Sequence, residues 1–118
     1  MHELFSWAAS NPMLAALLGL MLLDIAMGLV AAYGAGQLSS SVSWKGMSKK
    51  VAELLMVALS AVMSPHMPEI PILKITIGFY SITEALSILE NAARIGIPLP
   101  PSLVDALSKV EKGEAERR

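Results

Sequence analysis

The side chains able to do acid–base or polar chemistry are few, and they sit in unusual surroundings. Asp24 stands in the middle of Met13–Ala32, MLAALLGLMLLDIAMGLVAA, the single charge in twenty residues. Glu84, Glu90 and Asn91 fall within a second apolar stretch, Ile72–Ala93, ILKITIGFYSITEALSILENAA. No nucleophile–base pair, phosphate-cradling loop or ligand cluster accompanies them, so no catalytic residue is expected. The chain has no cysteine, which removes disulfides and thiolate metal sites. His2 and His66 have no companions at metal-ligand spacing, and His66 reads as a solvated loop residue. Gly34 and Gly36 make no nucleotide fingerprint, because no strand precedes them and the rest of the motif is missing. Neither a cofactor nor a metal is expected. Acids inside long apolar segments have two ordinary uses: lining or gating a water path, and hydrogen bonding between packed helices.

The elements that carry these residues are helices of membrane dimensions. Met13–Ala32 spans roughly 30 Å at about 1.5 Å per residue, the thickness of a bilayer's hydrocarbon core. Asp24 opposes insertion by about 2.5–3.5 kcal/mol on the translocon scale. Seven Leu, one Ile and one Val favour it by roughly 3–5 kcal/mol, enough to match or outweigh the aspartate. Asp24, Gly28 and Ala32 fall four apart and share a helix face, and Gly28 with Ala32 lets another helix approach closely. Residues 1–12 hold no Lys or Arg, so a secretory signal peptide is not expected and the segment reads as a retained anchor. Trp7 and Tyr33 bracket it as interfacial aromatics.

Residues 34–48, GAGQLSSSVSWKGMS, read as a polar loop, with Trp44 a further candidate at the interface. The next apolar block, Val51–Ser64, has fourteen residues and reaches eighteen from Met47 if Lys49 and Lys50 snorkel to the headgroups. Glu53 lies one turn from both lysines and could pair with either. Pro65, Pro68 and Pro71 then end that helix. In the third block the polar residues collect on one side at 100° per residue. They are Thr76, Tyr80, Thr83, Glu84, Ser87, Glu90, Asn91 and Arg94, opposite Ile75, Phe79, Ile82, Ala85, Leu86 and Leu89. Such a stripe suits a pore lining, a hydrogen-bonded helix interface, or a helix lying on the membrane surface. Pro98, Pro100 and Pro101 break the pattern again, and Ser102 could cap a short helix with Leu103, Leu107 and Val110 on one face.

Composition agrees. The 118 residues are 54% hydrophobic and 16% charged, with mean hydropathy +0.58 and net charge −1. That leaves no basic surface for nucleic acid and no room for a separate catalytic domain. The expected fold is an all-α membrane protein, a single domain over residues 1–118. It has about three transmembrane helices near 12–33, 47–64 and 72–94, then a short amphipathic helix and a charged tail within 95–118. With three spans, Lys45, Lys49 and Lys50 share a side with Arg94, Lys109, Lys112, Arg117 and Arg118, leaving only Lys74 opposite. The positive-inside rule then puts the N terminus outside and the C terminus in the cytoplasm.

Two stretches resemble the toxin-secretion and phage-lysis holins. In LLDIAMGLVAAYGAGQLSSSVSWKGMSKKV the matching features are the aspartate, the glycine four residues on, the Gly-x-Leu-Ser-Ser turn and the lysine block. In FYSITEALSILENAARIGIPLP they are Glu84, the Ser-Ile-x-Glu-Asn run and the prolines after Gly96. Met27 departs from the threonine often found beside the glycine. The resemblance implies a small protein of the bacterial cytoplasmic membrane that homo-oligomerises into lesions, letting endolysin reach the cell wall without necessarily touching it. Some relatives serve toxin export. A non-lytic toxin-export pore or small ion channel is the first alternative, and an accessory subunit of a larger membrane complex the second. The residues expected at a pore or oligomer interface are Asp24, Gly28, Ala32, Thr76, Tyr80, Thr83, Glu84, Ser87, Glu90 and Asn91.

Overall fold

The computed structural model describes residues 6, 10–36, 40–106 and 108–109, with the backbone alone at 40–43. His2, Trp7, Leu107, Val110 and the last eight residues of the tail lie outside the described residues. Three long helices dominate: α1 (Pro12–Gly34), α2 (Ser40–Met63) and α3 (Ile72–Ile95). No strand occurs among the described residues.

Local sequence explains most of the ends. Asn11 caps α1, its side-chain oxygen accepting from the backbone N–H groups of Met13 (3.1 Å) and Leu14 (3.2 Å). Pro12 occupies the first turn, where its missing N–H is no loss. Gly36, at φ +69°, turns the chain after α1. A short 3-10 turn, Ser64–His66, and the prolines around it separate α2 from α3. Gly96, at φ +96°, closes α3 in the left-handed region, and Ile97 N–H returns to Ala92 O at 3.0 Å. Residues 101–106 form one further helical turn that begins at Pro101, so Ser102 lies inside it and is not its cap.

The largest departure from expectation is α2, which begins at Ser40 and takes in much of the predicted loop. Serine lowers helix propensity by only a fraction of a kcal/mol per residue, and no proline interrupts the segment. The glycines at 34 and 36 supply the real break. Two helices, α1 and α3, are long and apolar enough to cross a membrane. With Lys45, Lys49, Lys50 and Glu53, α2 has the length but does not meet the same measure of apolarity.

The helices pack along seams of alternating three- and four-residue spacing. Leu14, Leu17, Met21, Asp24 and Ala31 are buried on α1, and Lys50, Glu53, Val57 and Ser60 on α2. Ile77 and Glu84 are buried on α3, seven residues apart. That spacing is the one left-handed helix pairs use. One end of the bundle has an apolar core of Leu14, Leu17, Met21, Val57 and Ile77, with Leu73 and Tyr80 packed against it. The outward faces are apolar too: Leu22, Leu23 and Val30 on α1, Leu55 and Val62 on α2, and Ile75 on α3 are all at least half exposed. Charges inside and aliphatic side chains outside invert the arrangement that water imposes, and suit lipid as the solvent.

Candidate functional site

The polar residues of the three helices converge near mid-length of each. Asp24 on α1 is buried, and so are Lys50 and Glu53 on α2 and Glu84 on α3. The Lys50 ammonium bridges the helices, donating to Asp24 Oδ2 at 2.6 Å and to Glu84 Oε1 at 2.5 Å. Asn91, two turns beyond Glu84 on the same face, donates from Nδ2 to Asp24 Oδ1 at 3.1 Å. Arg94 donates in turn to Asn91 Oδ1 at 3.3 Å. Gly28, one turn after Asp24, faces Asn91, and a Cβ at 28 would stand 3.5 Å from Asn91 Nδ2, an ordinary contact. A lysine shared by two carboxylates ties α1, α2 and α3 together at one point.

Lys50 corrects the expectation that it snorkels outward beside Lys49. Lys45 and Lys49 are exposed, whereas Lys50 turns into the bundle. Nor does Glu53 form an ion pair with either neighbouring lysine. It is 4% exposed, and neither of its oxygens has a hydrogen-bond partner among the described residues. Two physical reasons account for this. A helical lysine three residues before a glutamate is poorly oriented for pairing, and acids on two other helices reach the ammonium first.

The remaining predicted residues divide. Ala32 is buried on α1. Thr76, Tyr80, Thr83, Ser87 and Asn91 are partly buried, and Glu90 is exposed. The Thr76 and Thr83 hydroxyls donate to the carbonyls of Ile72 (2.8 Å) and Phe79 (3.1 Å), so each donor is satisfied within its own helix. On the α3 stripe, Tyr80 packs against the apolar core, Glu84 is buried and Asn91 reaches Asp24, so these three face protein. Sequence reasoning overlooked Glu53 as a buried acid and Lys50 as the partner of Asp24. The available signal was the spacing of Lys50, Glu53, Val57 and Ser60, which share one helix face.

In chemical terms the cluster is a fastener. Among the described residues no group of three or more histidine, cysteine, aspartate or glutamate side chains is arranged to hold a metal ion. Away from water, ion pairs and hydrogen bonds are strong when complete and heavily destabilising when one member is missing.

The chain matches the bacteriophage holin family over residues 4–112. It is 34% identical over 110 residues to an uncharacterised protein of Halalkalibacterium halodurans, covering 88% of this chain and 82% of that one. The uncharacterised protein YqxH of Bacillus subtilis is 31% identical over 103 residues, 86% of this chain and 74% of its own. A probable holin of Bacillus phage phi105 is 30% identical over 102 residues, 86% of this chain and 76% of its own. No solved structure matches. Membership in this family, which is not one of enzymes, together with two helices of membrane-crossing length and apolarity, points to a membrane protein. On the extent of the family match and the coverage of these relatives, the chain belongs to the bacteriophage holin family.

Proposed function

We propose that the protein is a holin: it accumulates in the bacterial cytoplasmic membrane and homo-oligomerises into lesions that release endolysin for host lysis. The observation that carries this is the family match over residues 4–112, reinforced by the probable phage holin among its relatives. The bundle supplies a physical rationale. A single copy satisfies most of its polar groups internally and offers lipid an aliphatic exterior, so it can collect without leaking. When copies exchange internal contacts for contacts with each other, the polar side of α3 becomes available to water.

In this reading all three helices span, with the N terminus outside and the C terminus cytoplasmic. Lys50 and Glu53 enter the bilayer only because α1 and α3 receive them. Lys45, Lys49, Trp44 and Tyr33 are all exposed and mark the headgroup level at one end. Glu90, on the exposed side of α3, is free to act between copies, while Asn91 acts through Asp24.

The test is inducible expression in a bacterium carrying a cytoplasmic reporter enzyme, with and without endolysin. Membrane potential and reporter release are followed together. Delayed, sudden loss of potential with endolysin-dependent lysis is the expected result, and Glu90→Ala or Asn91→Ala should shift its timing without lowering accumulation. Loss of potential without endolysin passage would replace the proposal with a narrow channel or an export pore. Normal growth with the protein verified in the membrane would replace it with an accessory-subunit role.

A further inference from the structure

Glu53 is the one buried acid of the cluster that the Lys50 bridge leaves out among the described residues. Both of its oxygens are buried without a hydrogen-bond partner, and so is Oε2 of Glu84, whose Oε1 is taken by Lys50. Glu53 lies one turn from Lys50 on the same buried face of α2, and Lys50 holds Glu84, so both acids belong to one buried cluster at the α2–α3 contact. Two carboxylates cannot hydrogen-bond, because neither has a donor. One added proton supplies that donor, and an O–H···O⁻ bond is among the shortest and strongest that side chains make.

We propose that Glu53 and Glu84 form a proton-binding site, in which one proton is held between Glu84 Oε2 and a carboxyl oxygen of Glu53. The charged and polar groups around the pair come from all three helices, with Tyr80 and Ser87 on the α3 face of Glu84 and Ser60 on the α2 face of Glu53. Asp24 comes from α1, Lys50 from α2, and Asn91 from the same face of α3 as Glu84. Lys49, which is exposed, lies one turn before Glu53 on α2. Fully ionised, three buried carboxylates would surround one buried ammonium, an excess of negative charge that a low-dielectric interior strongly opposes. One proton removes half of that excess and fills the vacant oxygen of Glu84. A metal ion is a poorer fit, since no metal-holding group of acids is arranged among the described residues.

The site also has a mechanical consequence. The buried face of α2 consists of Lys50, Glu53, Val57 and Ser60, and Ser60 already donates to Val57 O on its own helix. The cluster is therefore a large part of what docks α2. Loss of the shared proton restores like-charge repulsion between Glu53 and Glu84 across the α2–α3 contact. Proton occupancy thus sets how firmly α2 is held, whatever the protein goes on to do in the membrane.

Infrared spectroscopy of the purified full chain in deuterated detergent micelles tests this directly, and needs no lysis assay. The expected result is a protonated-carboxyl C=O band at neutral pH, amounting to one acid per chain. The band should disappear on raising the pH and be absent from Glu53→Gln of unchanged helical content. Glutamine supplies an N–H donor in place of the acid proton, so that variant should keep the bundle closed. Labelling the parental chain with ¹³C-glutamate should shift the band and ¹³C-aspartate should not, which confines it to the glutamates, and Glu90→Gln on the exposed side of α3 should leave it in place. Absence of the band at neutral pH, its survival in folded Glu53→Gln, or its shift with labelled aspartate would each overturn the proposal.

Discussion

Replacing Lys50 by methionine removes the ammonium shared by Asp24 and Glu84 while keeping a side chain of similar length. At 2.6 Å and an effective dielectric near 20, the Asp24 pair alone has an attraction of roughly 6 kcal/mol. Desolvating each ion opposes this by several kcal/mol, so the complete cluster is close to neutral against an apolar replacement. The single substitution is a different matter, because it strands two buried carboxylates. The expected destabilisation is about 3–5 kcal/mol, the usual result of removing one partner from a buried ion pair. The triple variant Asp24→Asn, Lys50→Met, Glu84→Gln leaves neither of the ammonium's two partners stranded as a charge and should recover most of that loss. Unfolding by denaturing detergent, followed by circular dichroism in mild micelles, measures both. A Lys50→Met chain as stable as the parent, or a triple variant no better than the single one, would refute the assignment of Lys50 as the tie between helices.

Other consequences are smaller and separable. Asn91→Ala removes the hydrogen bond to the Asp24 carboxylate, and should lower stability by about 1.5–3 kcal/mol in the same assay. Gly96→Ala places a Cβ at φ +96°, so it should destabilise the end of α3 by about 1 kcal/mol and leave the charge cluster intact. Reversing the exposed charges with Lys45→Glu and Lys49→Glu should leave unfolding within about 0.5 kcal/mol of the parent. The same pair should weaken orientation in the membrane, read by the accessibility of a cysteine placed at the C terminus.

Much of the architecture was legible in one dimension. Hydropathy and the turn residues locate three apolar blocks, because Asn11 with Pro12, the glycines at 34 and 36, and the prolines at 65, 68 and 71 act on their own neighbours. Backbone preference and insertion energy both depend on local sequence. The polar periodicity of α3 and the four-residue step from Asp24 to Gly28 likewise follow from helix geometry alone. What local reasoning missed at α2 has a plain cause. A run of serines followed by lysines reads as a polar loop, yet nothing in it forbids a helix that partners then stabilise.

Which charges meet was decided only by the tertiary structure. Lys50 and Lys49 are adjacent in sequence, equally charged and equally near the apolar block. One faces solvent and the other bridges acids 26 and 34 residues away. The choice depends on how α2 is rotated against α1 and α3, and an energy shared by three helices leaves no mark on any one of their sequences. For the same reason Glu53, one turn from two lysines, is buried with neither of them as its partner. The sequence by itself determined a helical membrane protein of the holin family with acids at mid-helix. Only the packed bundle decided that those acids gather around a single lysine and leave one carboxyl without a partner, because pairing depends on distances between helices and not along them.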